Sequence, residues 1–123
     1  MEKVSNENLL PPLIEKQIDF TIWMMYKVRK FDKDLRYLIG NNIADVCLLM
    51  LDVLVEAYYG KKGLQRVECL KRALLLIEQL RLKLRMSYVL GLMPTRSIFY
   101  ATNCLHEQAK MLQGWLNSES THV

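Results

Sequence analysis

The apolar residues of this chain recur at steps of three and four, the spacing that places side chains on one face of a helix. The first series predicts a helix over about residues 12–30, with an apolar face of Ile14, Ile18, Ile22, Met25 and Val28. The second series predicts a helix over residues 33–59 with two adjacent apolar stripes. One is Leu35, Ile39, Val46, Met50, Val53 and Ala57, and the other is Cys47, Leu51, Leu54 and Tyr58.

The third predicted helix, residues 64–92, has two apolar stripes that lie well apart. One contains Leu70, Leu74, Ile77, Leu84 and Tyr88. At about 100° per residue, the other falls elsewhere on the helix surface, and it contains Leu75, Leu82, Met86 and Val89. A helix in an isolated bundle buries one face, so we expect this second stripe to contact another subunit.

The fourth predicted helix begins after Pro94 and covers residues 95–117, because proline suits the first turn of a helix. Its apolar face is Ile98, Ala101, Leu105, Ala109, Leu112 and Leu116, and residues 118–123 are predicted to be a frayed polar tail. Short connections between four long helices predict one all-α domain over residues 1–123. We expect an antiparallel, up-down-up-down four-helix bundle.

Composition favours a soluble protein of the cytoplasm. Hydrophobic residues make up 51% of the 123 residues and charged residues 24%, an ordinary globular balance. Cys47, Cys69 and Cys104 are odd in number and widely spaced, which predicts free thiols in a reducing compartment. The segment MEKVSNENLLPP does not resemble a signal peptide. Charged residues interrupt both of the most apolar stretches, so we expect no membrane span.

Positive charge is concentrated in one part of the chain. Between Gly60 and Phe99 there are nine basic and two acidic residues, a net of +7, whereas the whole chain carries +4. We predict that eight of these nine basic residues bind nucleic acid or a partner: Lys61, Lys62, Arg66, Arg72, Arg81, Lys83, Arg85 and Arg96. The alternatives are a solvated or ion-paired face and a subunit contact. Tyr88 and Tyr100 are the nearest candidates for stacking on bases.

No spacing of reactive residues indicates catalysis. There is no Cys-x-x-Cys pair, no His-x-x-x-His pair and no glycine-rich phosphate loop. His106 is interpreted as a surface residue, and the pair Glu119–His122 falls in the predicted tail. A polar line of Asn41, Asp45, Asp52 and Glu56 is interpreted as a solvated face, or alternatively as a partner for the basic segment. We therefore predict a protein that is not an enzyme and has no metal or cofactor.

The third and fourth helices resemble a known family. The segment 80–92, LRLKLRMSYVLGL, and the segment 111–116, MLQGWL, resemble the accessory variability determinant of diversity-generating retroelements. Phe31-x-Lys33-x-x-Arg36-Tyr37 and the segment 54–59, LVEAYY, resemble that family's second helix. The likeness covers about residues 23–117. Met93 departs from it, standing before Pro94 where a capping serine is usual.

The resemblance implies a fold, an assembly and partners. It implies a four-helix bundle assembled as a barrel-like homopentamer that binds a reverse transcriptase and its template RNA. The complex makes error-prone cDNA, and the accessory protein itself does no chemistry. Arg81 and Arg85 match basic sites of the family, and Lys61, Lys62, Arg66, Arg72 and Arg96 lie in its basic region. The same fold occurs in four-helix-bundle proteins of 23S ribosomal RNA intervening sequences. An oligomeric scaffold of that type, without a reverse transcriptase, is the alternative function.

Overall fold

Four helices form the part of the chain that the computed structural model describes, residues 10–121. They are α1 (Pro12–Val28), α2 (Lys33–Gly60), α3 (Leu64–Val89) and α4 (Thr95–Thr121). Helix α2 packs against α1 and α3, and α4 closes the bundle by packing against α3 and α1. No strand occurs within residues 10–121. The prediction of an all-α protein with four helices is thus confirmed.

The buried face of α1 differs from the predicted one. Ile14 and Val28 are buried, but Ile22 and Met25 are exposed at 50% and 38%. Their places in the core are taken by Leu13, Phe20 and Met24, and by the polar pair Gln17 and Thr21. The Thr21 hydroxyl donates to the Gln17 carbonyl at 2.7 Å, and Gln17 Nε2 donates to the Cys47 carbonyl at 3.0 Å. These hydrogen bonds allow polar side chains to be buried on the core face of α1. The pattern of apolar residues alone therefore indicated a different face.

Helix α2 buries the first of its two predicted stripes apart from the half-buried Leu35, together with Cys47 and Leu54 of the second. Two π-helical segments, Arg36–Gly40 and Glu56–Gly60, interrupt its α-helical hydrogen bonding and were not predicted. Gly40 lies in the first of them, where a Cβ atom would be 2.7 Å from Val28 Cγ1. The close approach of α2 to the end of α1 therefore depends on glycine.

Helix α2 is also, by length and composition alone, long and apolar enough to cross a membrane. The same helix is the one against which α1 and α3 pack, and it supplies much of the core. A central helix of a soluble bundle meets the same criterion as a membrane span, so length and composition do not distinguish the two.

The connection between α3 and α4 is built by Gly91. Its φ of 75° lies in the left-handed region, and α3 ends at Val89, three residues earlier than predicted. The Gly91 N–H donates to the Tyr88 carbonyl at 3.0 Å, and the Leu92 N–H donates to the Ser87 carbonyl at 2.9 Å. This pair of bonds is a Schellman motif. Met93, where the resemblance would place serine, is 3% exposed and belongs to the core.

The predicted frayed tail is wrong for Ser118 to Thr121, because α4 continues through Thr121. Glu119 Oε1 accepts hydrogen bonds from Arg66 Nη1 at 3.0 Å and from Trp115 Nε1 at 3.2 Å. These bonds hold the last turn of α4 against the start of α3. His122 and Val123 lie outside the described residues.

The buried cysteine of α2 makes stability depend on pH. Burial raises the pKa of the Cys47 thiol from 9.0 to about 12. Above pH 9 the unfolded chain loses this proton while the folded chain keeps it, so the stabilisation is complete below pH 9 and is lost toward pH 12. Between about pH 8 and about pH 10, we expect the free energy of unfolding to fall in the parent protein by about 1 kcal/mol more than it falls in a Cys47→Ala variant. Urea denaturation at both pH values measures this. Identical pH dependence in the two proteins would contradict it.

Candidate nucleic-acid and subunit interface

The second apolar stripe of α3 is exposed. Leu75, Leu82, Met86 and Val89 are between 54% and 75% exposed, on the side of the helix opposite its buried face. Leu90 continues the stripe past the end of α3, and Leu38 of α2 lies beside it, both exposed. We call these six residues the outward stripe. Such a run of apolar side chains typically marks a surface that another molecule covers.

A cleft between α2 and α3 borders the outward stripe on one side. It has a volume of about 320 Å³, and its walls include Leu35, Ile39, Asn42 and Lys83. Lys83 is half-buried there. Its aliphatic stem lies among apolar side chains, as long basic residues at a surface often do.

A larger cleft, between α3 and α4, borders the outward stripe on the other side. Its volume is about 560 Å³, and its walls include Arg81, Arg85 and Tyr88 of α3 and Ile98 and Thr102 of α4. We call it the arginine cleft. The Tyr88 hydroxyl there accepts a hydrogen bond from Thr95 Oγ1 at 3.5 Å. The structure thus brings the two arginines that carry the family likeness together with one of the two tyrosines named for stacking.

The two arginines of this cleft differ in how exposed they are to solvent. Arg81 is half-buried, with Nε 3.6 Å from Glu78 Oε1, too far for a hydrogen bond, and no hydrogen-bond partner for Nε within residues 10–121. Arg85 is exposed. A guanidinium group has five N–H donors in a planar fork. The arginine cleft therefore offers donors to a ligand with oxygen acceptors, such as a phosphate or a carboxylate.

The remaining predicted basic residues are not gathered at this cleft. Lys61 and Lys62 lie in the connection before α3 and Arg66 lies in its first turn, whereas Arg85 lies in its last two turns. The 19 residues from Arg66 to Arg85 correspond to about 28 Å of helix. Arg72 lies between the two groups, and Arg96 lies in the first turn of α4; both are exposed. The eight basic residues predicted as one surface are thus spread along α3 and beyond its ends, and only Arg81 and Arg85 lie together in the arginine cleft.

Arg66 has a structural role that the sequence did not reveal. Its Nε donates to the Ala57 carbonyl at 2.7 Å, its Nη1 pairs with Glu119, and its guanidinium lies 5.8 Å from the Trp115 ring centre. Trp115 in turn packs on Tyr58, with ring centres 4.3 Å apart. Arg66 joins the ends of three helices, so its side chain is committed within the chain.

Replacing Arg66 should therefore lower the stability of the fold more than it weakens the binding of a ligand. In an Arg66→Met variant, the Ala57 carbonyl and Glu119 lose a charged donor, and we expect the free energy of unfolding to fall by about 2 kcal/mol. The exposed Arg72 provides the matched control, where Arg72→Met should change it by less than about 0.5 kcal/mol. Urea denaturation of both variants measures the difference. Equal losses would show that Arg66 does not join the helix ends.

The other polar residues singled out in the sequence are solvent-exposed. Asn41, Asp45, Asp52 and Glu56 are all exposed, and within the described chain no ion pair joins them to a basic side chain. This confirms the interpretation as a solvated face within the subunit. His106 is exposed, as predicted.

The candidate interface combines apolar surface with positive charge. Across residues 10–121 no three His, Cys, Asp or Glu side chains lie together in a group that could bind a metal. The outward stripe offers apolar area, and the arginine cleft offers hydrogen-bond donors and positive charge beside it. No protein-family model, no curated protein and no solved structure matches this chain.

Proposed function

We propose that this chain is a non-enzymatic accessory protein of a diversity-generating retroelement. In this proposal it binds the element's reverse transcriptase and template RNA and supports mutagenic cDNA synthesis in the cytoplasm. The single observation that carries the proposal is the outward stripe flanked by the arginine cleft. The likeness of residues 80–92 and 111–116 to the accessory variability determinant supplies the identity of the partners.

The assembly is part of the same proposal. The connections at residues 29–32, 61–63 and 90–94 are short, which supports helices that alternate in direction, up-down-up-down. The outward stripe supports association of identical subunits, and the resemblance implies a ring- or barrel-like pentamer. Each subunit then contributes one arginine cleft, so several weak phosphate contacts act together on one RNA.

Salt dependence is the first test of RNA binding. If phosphates supply the affinity, the logarithm of the binding constant falls linearly with the logarithm of salt, by about 0.7 per phosphate neutralised on single-stranded RNA. Fluorescence anisotropy with an unstructured RNA at several salt concentrations measures the slope. An affinity that is negligible at low salt would contradict the proposal.

Co-purification is the second test. Where a reverse transcriptase gene lies beside this one, the two proteins expressed together should be recovered as a stable complex. A gene neighbourhood without a reverse transcriptase, together with an oligomer that binds no RNA, would instead indicate a scaffold of the ribosomal-RNA intervening-sequence type.

A further inference from the structure

The arginine cleft has more apolar surface than a phosphate alone would cover. Beside Arg81 and Arg85, its walls include the apolar side chains of Leu82, Val89 and Ile98, and its volume is about 560 Å³. No Asp or Glu within residues 10–121 lines it. A ligand that fills the cleft therefore combines an anionic group with a flat or apolar part.

Tyr88 presents an aromatic ring in this cleft. Arg81, Arg85 and Tyr88 are spaced by four and three residues, so they share one face of α3. Tyr88 is 48% exposed, and within residues 10–121 its ring contacts no other ring and no cation. Tyr100 differs, because it packs on Trp23 of α1 with ring centres 4.7 Å apart. Of the two tyrosines predicted to stack on bases, only Tyr88 lies at the arginine cleft.

A second exposed ring, Phe99 of α4, lies at the edge of the same cleft. Thr95, Phe99 and Thr102 are spaced by four and three residues and share one face of α4. Thr95 donates to the Tyr88 hydroxyl, and Thr102 lines the cleft. Phe99, between them, is 65% exposed, and in the described part of the chain no ring or cation packs on it. Two helices thus border the cleft with one open ring each.

The surroundings of Phe99 favour an anionic ligand. Arg96, one turn before Phe99 on α4, is exposed. The first acidic residue of α4 is Glu107, eight residues after Phe99, and its carboxylate is paired with Lys16 at 2.6 Å. Helix α4 therefore adds a cation and no free carboxylate beside the ring. Exposed rings next to unopposed basic side chains are typical of surfaces that bind single-stranded nucleic acid.

We propose that the arginine cleft holds an unpaired nucleotide of an RNA strand, with its phosphate on Arg81 and Arg85 and its base on Tyr88. The neighbouring base stacks on Phe99. Base faces are open to such stacking only where the strand is unpaired. This stacking rests on the proposed function, because it takes the ligand of the arginine cleft to be RNA. It adds that the cleft selects single-stranded segments, with little preference among bases, since every base has a ring face.

Fluorescence anisotropy with a labelled oligouridylate tests the stacking. A Tyr88→Leu, Phe99→Leu variant keeps both arginines, so its affinity should fall by about tenfold or more while its salt slope stays that of the parent. Both rings are exposed, so circular dichroism should show an unchanged helix content. Tyr88→Phe keeps the ring and should bind as the parent does. Tyr59→Leu, at an exposed position of α2, is the matched control and should also bind as the parent does.

Two further probes separate the rings from the arginines. The parent should bind an abasic strand with the same number of phosphates about tenfold more weakly than oligouridylate, with a similar salt slope. The double ring variant should bind this abasic strand, and an RNA duplex, as the parent does.

The stacking is overturned if the parent binds the abasic strand as tightly as oligouridylate, or if the double ring variant binds oligouridylate as the parent does. In either case phosphates supply the whole affinity, and the proposed RNA function stands without the rings. A ring variant that keeps its RNA affinity but no longer binds the reverse transcriptase would place the rings in a protein contact. A parent protein that binds neither strand would remove the stacking and the proposed RNA function together.

Discussion

A Leu82→Glu, Met86→Glu double variant should be a folded monomer under conditions in which the parent chain is an oligomer. Both side chains are more than half exposed within one subunit, so the fold does not depend on them. In an assembly through the outward stripe, both carboxylates would be taken out of water without a partner. A buried, unpaired charge costs several kcal/mol, enough to separate the subunits completely at micromolar concentration.

Light scattering gives the mass and circular dichroism the helix content of this variant. The matched control is Leu48→Glu, Val55→Glu, which places the same two charges on exposed apolar positions of α2. The control should remain an oligomer. A parent protein that is monomeric at micromolar concentration would contradict the proposed assembly, and so would a Leu82, Met86 variant that stays associated.

Reversing both charges of the arginine cleft should remove most of the RNA affinity. In an Arg81→Glu, Arg85→Glu variant two donors to phosphate become two repelling carboxylates on every subunit. The salt slope should become shallower by about 1.4 for each subunit whose arginine cleft contacts the RNA, because each such subunit neutralises two fewer phosphates. In an oligomer the loss is repeated in each subunit, so the affinity should fall by about two orders of magnitude or more.

The control for this experiment carries the same change in net charge elsewhere. Lys30→Glu, Lys33→Glu alters two exposed residues near the connection of α1 and α2, and it should weaken RNA binding only slightly. Dissociation of the Arg81, Arg85 variant into monomers would place the arginines in the subunit contact instead. An intact assembly with unchanged RNA affinity would rule them out as the RNA site and favour contact with the reverse transcriptase.

The helices could be predicted because the residues that start and end them can be recognised in the local sequence. Pro12, Gly60 and Pro94 mark helix ends in the sequence, and α1, α3 and α4 begin at the predicted residues, 12, 64 and 95. The core face of α1 could not be predicted, because Gln17 and Thr21 are buried through hydrogen bonds that require the folded structure. The extension of α4 to Thr121 likewise depends on Arg66, which is 53 residues from Glu119 in the chain.

Part of the candidate site could likewise be predicted from the sequence, and part could not. Periodicity identified four exposed apolar side chains of α3, Leu75, Leu82, Met86 and Val89, since the angle between two stripes follows from helix geometry. It placed Tyr88, which is 48% exposed, on the other stripe. Net charge identified the basic segment but not the arrangement within it: Arg66 serves the fold, and Lys83 lines a cleft on the other side of the outward stripe from Arg85.

The glycines separate two kinds of evolutionary constraint. Gly40 is fixed from within, because a methyl group there would collide with Val28. Gly114 has open space around the position of a Cβ atom, and in a helix interior alanine would be favoured by about 1 kcal/mol. Mutation over time should therefore replace Gly114 sooner than Gly40, unless a molecule outside the subunit packs against the backbone where a side chain would lie. Retention of glycine at this position in descendants of the gene would reveal selection by a neighbour that the isolated fold does not contain.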